Sequence, residues 1–275
     1  MRLLHGRPVA ERVNAGTRER LAALTIRGVT AKLDVVRVGA DPAASSYLGR
    51  IRKLASDLGI ALEEHVAPAH DVRLAGLLRA TTAHGVLMLT PLPGGMSEER
   101  MTEAIPPARD VEGVHPENVG RLALGRPRFI PSTAEAILEI LRFYEIPLGG
   151  ANTVVIGRSP IVGRPVANLL TQEDATVTIA HSKTADVASH TKAADIVVVA
   201  IGRKAFLRGE MLKRGATVID AGINVTPSGI VGDADAESVS AVASALTPVP
   251  GGVGAVTTAL LLRNVVTAAE EQADR

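Results

Sequence analysis

Residues 154–165, VVIGRSPIVGRP, decide the fold of this chain, because a β-branched run breaks there into glycine and serine before a helix. Gly157 and Gly163 let backbone amides approach an anion, and the positive end of the following helix faces the same point. The pattern predicts a phosphate-binding turn. Since the glycine and serine spacing is not the full G-x-G-x-x-G fingerprint, an ordinary strand-to-helix turn stays open as the alternative.

A second β-branched run, residues 176–182, starts about 20 residues after the turn, where a Rossmann unit places the adenine ribose. NAD-binding proteins usually have Asp or Glu there, whereas this chain has His181, Ser182 and Lys183, with Arg158 after the first glycine. Hydroxyl and cationic groups suit a ribose 2′-phosphate, so the residues indicate NADP rather than NAD. An ordinary polar loop is the alternative.

Composition agrees with a cytosolic enzyme. The 275 residues suffice for two domains, and 46% of them are hydrophobic. A net charge of +1 and 2% aromatic residues give no reason to expect nucleic acid or an anionic membrane as partner. No cysteine is present, no signal peptide is recognised, and no apolar run reaches the length of a membrane span. We therefore expect a soluble, cytoplasmic protein.

Strands and helices alternate in the first half of the chain. Predicted strands at 32–38, 60–66 and 85–90 are separated by predicted helices at 42–58 and 72–80. This order is typical of a mostly parallel sheet wrapped by helices. Further helices are predicted at 8–24 and at 132–144, where Ser132 is the expected N-cap and the helix a connector.

The pattern restarts after Gly149 and Gly150, with predicted strands at 153–156, 176–180, 196–200 and 217–221. The fold class is therefore α/β with two domains. Residues 1–148 form the first domain and residues 149–255 a Rossmann-type nucleotide domain. The C-terminal segment, about 256–275, is expected to pack back on the first domain.

Glycine- and proline-rich loops follow predicted strands in both halves, where open α/β sheets bind ligands. They are TPLPGGM (90–96), DVEGVHPENVGRL (110–122), AGINV (221–225) and TPVPGGVGAVTT (247–258). Each alone has a plain connecting turn as its alternative. Four of them at strand ends favour a cleft that encloses a substantial ligand.

These motifs resemble the methylenetetrahydrofolate dehydrogenase/cyclohydrolase family of the FolD type over residues 34–266. Further motifs that carry the resemblance are GADPAASSYL (39–48), VVIGRSPIVGRP, HSKT (181–184) and VGD (231–233). The resemblance implies an N-terminal folate-site domain, a C-terminal NADP domain, a cleft between them and a homodimer. The family oxidises 5,10-methylenetetrahydrofolate to the methenyl form, and most members hydrolyse that to 10-formyltetrahydrofolate.

The resemblance also implies roles for individual residues. Tyr47 corresponds to a catalytic-site tyrosine that packs near the folate. The implied substrate contacts are Tyr47, Leu92, Asp110, Glu112, Pro250, Gly251, Gly252 and Thr257. The implied cofactor contacts are Gly157, Arg158, Ser159, Val162, Gly163, His181, Ser182 and Ile223. No metal ligands are assigned.

Departures from the family pattern fall on the folate side. Ile51 stands where the family has the lysine credited with cyclohydrolase proton chemistry, and Leu89 where it has the glutamine that supports that lysine. Glu112 replaces the aspartate that binds the pterin ring, while Ala255 and Val256 replace Pro-Met. We expect Ile51 and Leu89 to pack together, since an apolar pair leaves no buried polar group without its partner.

Other residues are poor substitutes for the lost lysine. Lys53 lies two positions further on, about 200° around the helix. Arg50 keeps its proton up to about pH 12 and is no general base. Lys32 starts the first strand, at the end opposite the expected site. His65 and His115 remain candidates, although a lone histidine is more often structural.

The chemistry of the two steps separates them. Hydride removal leaves a cation shared by two nitrogens and needs alignment but no base, whereas hydration of that cation needs one. The sequence thus predicts an NADP-dependent methylenetetrahydrofolate dehydrogenase with weak or absent cyclohydrolase activity. The alternatives are a bifunctional enzyme that uses another base, a paralogue that acts on a modified folate or another substrate, and a non-catalytic ligand-binding protein.

Overall fold

The computed structural model describes residues 1–39, 42–67, 69, 71–227 and 229–274. Ala40 and Asp41 of the GADPAASSYL motif lie outside the described residues. The chain forms two compact units, which we name by their main sheets. The three-stranded unit comprises Arg12–Ile130 and Thr258–Arg275, and the six-stranded unit comprises Met1–Glu11 and Pro131–Thr257.

Strands and helices alternate along most of the chain. The strands are β1 Arg2–Leu3, β2 Lys32–Val38, β3 Ala61–Ala67, β4 Gly85–Met88, β5 Asn152–Ile156, β6 Thr176–Ala180, β7 Ile196–Val199, β8 Thr217–Asp220, β9 Asn224–Thr226, β10 Gly229–Val231 and β11 Ala245–Leu246. The α-helices are α1 Gly6–Ile26, α2 Pro42–Leu58, α3 Asp71–Ala80, α4 Glu98–Thr102, α5 Pro116–Ala123, α6 Ser132–Phe143, α7 Gly163–Gln172, α8 Val187–Thr191, α9 Ala236–Ser240 and α10 Thr257–Ala273. Within the described ranges, no helix is long and apolar enough to cross a membrane.

The sheet of the three-stranded unit has β2 between β3 and β4, and both pairs are parallel. Successive residues of a strand point to opposite faces, so the sheet supports two cores. Val35 packs in the core that includes residues of α2 and α10, and Val36 in the core that includes residues of α3. The C-terminal helix α10 contributes Leu261 and Val265 to the first of these cores.

The sheet of the six-stranded unit has the order β1-β11-β8-β7-β5-β6, and every pair is parallel. Its central strands β5, β7 and β8 are almost entirely buried and rich in β-branched residues, as in a sheet covered on both faces. Because all strands run the same way, their carboxyl ends meet at one edge, where ligands bind in this class of sheet.

The edge strand β1 was not predicted. Arg2 pairs with Ala245 and Leu3 with Leu246, which joins the start of the chain to the six-stranded unit. Both residues of β1 are exposed, and two residues are too few to show an alternating pattern.

The division of the chain differs from the predicted boundary at residue 149. The longer segment of the six-stranded unit already starts at Pro131, so this unit includes α6. This helix packs against α7, and Arg142 pairs with Glu173 at 2.5 Å. The prediction was wrong here because the apolar periodicity of a helix does not tell which sheet it covers. Ser132 is also not the N-cap, since Pro131 occupies that position.

Candidate active site

Gly157 forms the turn that follows β5. Its φ of 129° lies in the left-handed region that favours glycine. A Cβ at this position would lie 2.5 Å from the carbonyl oxygen of Ala200, just after β7. The amide of Gly157 donates to the carbonyl of Ala180 at the end of β6, at 2.9 Å. The turn is thus fitted between the carboxyl ends of both neighbouring strands.

Ser159 closes this turn from inside. Its Oγ accepts a hydrogen bond from the amide of Val162 at 3.1 Å and a longer one from Gly163 at 3.4 Å. A Cβ on Gly163 would lie 2.2 Å from the carbonyl oxygen of Gly157, so the first turn of α7 packs directly on the loop. This preorganised loop in front of a helix therefore contains five of the predicted cofactor contacts.

The loop after β6 lies beside this turn. Ile156 pairs with Ala180 in the parallel register, so β5 and β6 end side by side and the two loops start next to each other. The amide of His181 donates to Thr184 Oγ1 at 2.9 Å, and the amide of Lys183 donates to His181 Nδ1 at 3.1 Å. The side chain of His181 thus shapes the loop.

Arg158 and Ser182 have the properties that the expected 2′-phosphate requires. Both residues are exposed. Neither side chain makes a hydrogen bond or an ion pair with any residue that the structure describes. A guanidinium and a hydroxyl without protein partners suit a phosphate dianion, and the amino end of α7 adds favourable electrostatics. The residues present therefore fit NADP.

A buried carboxylate, which sequence reasoning missed, organises the ends of β7 and β8. Asp233 is fully buried. Its Oδ2 accepts from the amides of Ile201 at 2.7 Å and Gly202 at 2.9 Å. Its Oδ1 accepts from the amide of Arg203 at 2.7 Å and from Asn224 Nδ2 at 2.8 Å. The available signal was the aspartate in the VGD motif, to which we assigned no role.

Ile223, another predicted cofactor contact, lies between two anchored residues. The amide of Gly222 donates to Asp220 Oδ1 at 2.8 Å, and Asn224 is held by Asp233. Ile223 itself is 65% exposed. An exposed aliphatic side chain on a fixed backbone is suited to covering a ligand ring.

The Pro250 loop belongs to the six-stranded unit. Pro250 and Gly251 are exposed, whereas Gly252 is buried. The carbonyl of Gly251 accepts from the amide of Gly6 at 2.8 Å, which ties this loop to the start of α1. Thr257 begins α10.

Tyr47 and Ile51 lie on α2 in the three-stranded unit. Ile51 is fully buried and Leu89 is 5% exposed, and both belong to the core that includes α2 and α10 residues. The partly buried Tyr47 packs against the same core. The Arg50 guanidinium carbon lies 5.7 Å from the centre of the Tyr47 ring, within cation–π range.

Glu112 is electrostatically coupled to Tyr47. Burial is the main cause that raises the pKa of the Tyr47 phenol, followed by the charge of Glu112, while Arg50 opposes both. Burial also raises the pKa of Glu112 to about 8, and the nearby charge of Asp110 adds to this shift. A carboxyl group with this pKa exchanges its proton near neutral pH.

Asp110 holds the loop that carries Glu112. Its Oδ2 accepts from the amide of His115 at 2.7 Å and from Asn118 Nδ2 at 2.8 Å. Burial raises the pKa of Asp110, and these hydrogen bonds oppose the shift. Asp110 also forms a parallel bridge with Val86 of β4, so the loop continues the edge of the sheet. Asp110 therefore shapes the loop through Oδ2, and its contact with the substrate stays a prediction.

Comparisons with known proteins agree with this geometry. Residues 4–112 match the family model for the tetrahydrofolate dehydrogenase/cyclohydrolase catalytic domain, and residues 131–273 match the model for its NAD(P)-binding domain. The chain belongs to the tetrahydrofolate dehydrogenase/cyclohydrolase family. The predicted family, the two-domain α/β fold and the enzyme class are thereby confirmed.

Relatives of the chain are similar over its whole length. The bifunctional protein FolD 1 of Frankia casuarinae is 46% identical over 273 residues, which cover 98% of this chain and 99% of that protein. The bifunctional FolD of Campylobacter jejuni has a crystal structure with a TM-score of 0.95 and 38% identity, with 99% of both chains covered. The FolD of Trypanosoma brucei, solved with NADP and an inhibitor, has a TM-score of 0.91 and 34% identity and covers 98% of this chain and 97% of that one.

Within this family, the candidate replacement bases are poorly placed. His65 pairs in register with Val36, on the face of the sheet opposite Val35 and the core that contains Ile51. Its Nε2 lies 3.3 Å from Asp34 Oδ1. His115 is the N-cap of α5, and its Nδ1 accepts from the amide of Glu117. Both histidines are thus engaged in contacts within the protein, away from the core that contains Ile51 in the case of His65 and at a helix N-terminus in the case of His115.

Lys53, Lys32 and Leu92 complete the set of singled-out residues. Lys53 and Lys32 are exposed. Leu92 is partly buried, but it packs against the core that contains α3 residues rather than the one that holds Ile51. Its amide donates to Glu98 Oε1 at 3.1 Å. The structure therefore brings Tyr47, Ile51 and Leu89 to one core and leaves Leu92 on the other.

Proposed function

We propose that this family member is an NADP-dependent 5,10-methylenetetrahydrofolate dehydrogenase whose cyclohydrolase activity is weak or absent. The observation that carries the proposal is the burial of Ile51 and Leu89 in one hydrophobic core. In the family pattern, lysine and glutamine occupy these positions. Side chains without ionisable or hydrogen-bonding groups cannot move a proton there.

NADP is the cofactor that the sequence predicts and that the family comparisons support. When bound, it accepts the hydride. The turn around Gly157 and α7 would hold the pyrophosphate, and Arg158 and Ser182 would meet the 2′-phosphate. Ile223 and the Pro250 loop are proposed contacts of the nicotinamide and the folate, respectively.

The oxidation requires little from the protein beyond alignment. Removal of hydride from the methylene carbon leaves a cation that two nitrogens share, so no enzymic base is needed. Hydration differs, because the attacking water must lose a proton. A positioned base accelerates such a step by roughly 100- to 10,000-fold. Loss of the lysine and glutamine should therefore affect the second reaction alone.

The second candidate function is a bifunctional enzyme in which Glu112 is the base. Full-length relatives at 46% and 44% identity bear the name bifunctional FolD. The pKa of Glu112, raised to about 8, would let its carboxylate accept a proton near neutral pH. We rank this second because hydrogen bonding to a pterin ring would engage the same carboxylate.

One assay distinguishes these functions. The purified protein is mixed with methylenetetrahydrofolate and NADP, and NADPH, methenyl accumulation and methenyl decay are followed separately. We expect NADPH to form while methenyl decays at its uncatalysed rate. Accelerated decay that Glu112→Gln abolishes would support the bifunctional candidate instead. Absence of NADPH would favour another substrate or a binding role.

Restoring the missing pair sharpens the test. The double variant Ile51→Lys/Leu89→Gln should accelerate methenyl decay without increasing NADPH formation. Ile51→Leu/Leu89→Met is the matched control, because it changes both positions without polar groups. Equal rates of methenyl decay in both double variants would contradict the assigned roles of these positions.

The homodimer, the absence of nucleic-acid partners and the cytoplasmic location stay predictions.

A further inference from the structure

Asp233 fixes the loop that follows β7, beside the proposed cofactor site. The loop Ile201–Arg203 follows β7, and its three successive amides donate to the two oxygens of this carboxylate at 2.7–2.9 Å. Asp233 itself lies in the segment between β10 and α9, about 30 residues later in sequence. A buried carboxylate that accepts hydrogen bonds from successive amides fixes their directions strongly, because each bond is charge-assisted.

A second carboxylate fixes Asp233 in turn. Asp220, at the end of β8, accepts through Oδ1 from the amide of Asp233 at 3.0 Å and through Oδ2 from the amide of Ala234 at 2.8 Å. Asp220 Oδ1 also accepts from Gly222, next to Ile223. The network therefore joins the ends of β7 and β8 with the backbone on both sides of Ile223.

The strand order tells which half of the cofactor this network faces. In a Rossmann unit the pyrophosphate lies at the first glycine turn, here after β5, and the adenine ribose lies at the end of the next strand, here β6. Because β7 and β8 lie on the other side of β5, the nicotinamide half of a bound cofactor would extend over their ends. A Cβ on Gly157 would lie 2.5 Å from the carbonyl oxygen of Ala200 and 3.5 Å from the side chain of Ile201, so the chain after β7 lies close to the turn.

We propose that Asp233 is a positioning residue for the nicotinamide half of the cofactor, acting through the Ile201–Arg203 loop and through Asn224 beside Ile223. This inference rests on the proposed NADP site. It goes further because it divides the site into two halves with separate determinants. The adenine half depends on Arg158 and Ser182, and the nicotinamide half depends on a residue that is itself buried.

Two probes separate these halves. NADPH contains both, whereas adenosine 2′,5′-bisphosphate contains only the adenine half. Asp233→Asn keeps the shape of the side chain but replaces an acceptor by a donor that faces backbone N–H groups. We expect it to weaken NADPH binding by about tenfold or more, the ratio that corresponds to one hydrogen bond to a charged group. Binding of adenosine 2′,5′-bisphosphate should stay within about twofold of the wild type.

Asp235→Asn is the matched control. It removes the same charge two residues away, where the side chain caps α9 by accepting from the amide of Ser238. Asparagine caps as well as aspartate, so both probes should bind as to the wild type. Arg158→Ala is the reciprocal variant and should weaken the binding of both probes.

Hydrogen exchange in the cofactor-free protein gives a readout independent of binding. The amides of Ile201, Gly202 and Arg203 should exchange faster in Asp233→Asn, while those of β5 keep their protection. If Asp233→Asn does not fold, Asn224→Ala is judged by the same binding criteria. It removes the Nδ2 donor to Asp233 Oδ1 and the longer hydrogen bonds to the carbonyls of Val231 and Gly232, but leaves the Ile201–Arg203 amides bonded to Asp233.

The outcomes are distinct. A selective loss of NADPH binding supports the inference. Equal losses for both probes, or unchanged NADPH binding, overturn it and leave Asp233 a structural residue. A wild-type protein that binds neither probe contradicts the proposed NADP site itself.

Discussion

Ile51 and Leu89 belong to a single hydrophobic core in the three-stranded unit, with exposed fractions of 0% and 5%. They come from different elements, α2 and the segment that follows β4. The resemblance to the family implies lysine and glutamine at these two positions. Replacement of both members avoids the cost of leaving either polar group buried without the other. We therefore expect that replacing only one of the two by the polar residue of the family pattern is unfavourable.

Ile51→Lys alone should lower the free energy of unfolding by about 2 to 5 kcal/mol, because it places an unpaired amine in an apolar core. Burial lowers the pKa of such an amine. The unfolded chain then binds more protons than the folded one, so the deficit should shrink as pH rises towards about 10.4. Urea unfolding at several pH values measures this.

Ile51→Met is the control for this variant, since a change of shape without charge should cost less than about 1.5 kcal/mol. A lysine variant as stable as the methionine variant at neutral pH would show that position 51 has access to water or to a partner. Adding Leu89→Gln to the Ile51→Lys variant should recover part of the lost free energy of unfolding.

Glu112 should make stability depend on pH. Its pKa is raised from 4.5 to about 8, chiefly by burial, so the folded state binds more protons than the unfolded state between these values. Stability contributed by this group is complete below pH 4.5 and is lost as pH rises through about 8. Glu112→Gln should therefore fall less in stability than the wild type across this range.

The comparison is made by urea unfolding across the same pH range. One proton corresponds to at most about 1.4 kcal/mol per pH unit, and the partial exposure of Glu112 reduces the effect. Glu19→Gln, an exposed position on α1, serves as the control and should follow the wild type. Parallel curves for Glu112→Gln and the wild type would mean that this carboxyl titrates as an ordinary one.

Much of the fold could be predicted because its elements have strong local signals. The predicted bounds of β2 and α2 coincide with the observed ones, since β2 is rich in valine and α2 ends before Gly59. The β9–β10 hairpin escaped prediction, because its strands have three residues each and expose Val225 and Ile230. Short exposed strands bury too little to leave a pattern.

The candidate site also has a part that could be predicted from the sequence and a part that could not. The turn at Gly157 was predictable because its glycines, serine and helix are adjacent in sequence. Asp233 was not, because its partners at Ile201 and Arg203 are brought to it by the sheet alone. Single aspartates are common in loops, and only the fold shows that this one is fully buried.

Arg158→Ala should weaken binding of NADP by roughly tenfold or more and of NAD by less than about twofold, because only NADP has the 2′-phosphate. The difference should shrink at high salt, since the side chain is exposed. Stability should not change, because Arg158 has no hydrogen-bond or ion-pair partner among the described residues.

Titration of intrinsic NADPH and NADH fluorescence measures both affinities. Arg214→Ala is the charge-matched control, because Arg214 is exposed and precedes β8, at the edge of the sheet opposite the turn. An equal loss for both cofactors would refute the assignment of Arg158 to the 2′-phosphate.

Gly157→Ala should nearly abolish cofactor binding, because two independent constraints act at this position. The φ of 129° disfavours any side chain, and the added Cβ would lie 2.5 Å from the carbonyl oxygen of Ala200. Gly150→Ala is the matched control, with a φ of 74° and no atom within 4 Å of the added Cβ. It should cost about 1 to 2 kcal/mol of stability through backbone strain alone and leave NADPH affinity unchanged. If Gly157→Ala binds NADPH as Gly150→Ala does, the turn does not form the phosphate site, since the alanine must displace either the turn or the end of β7.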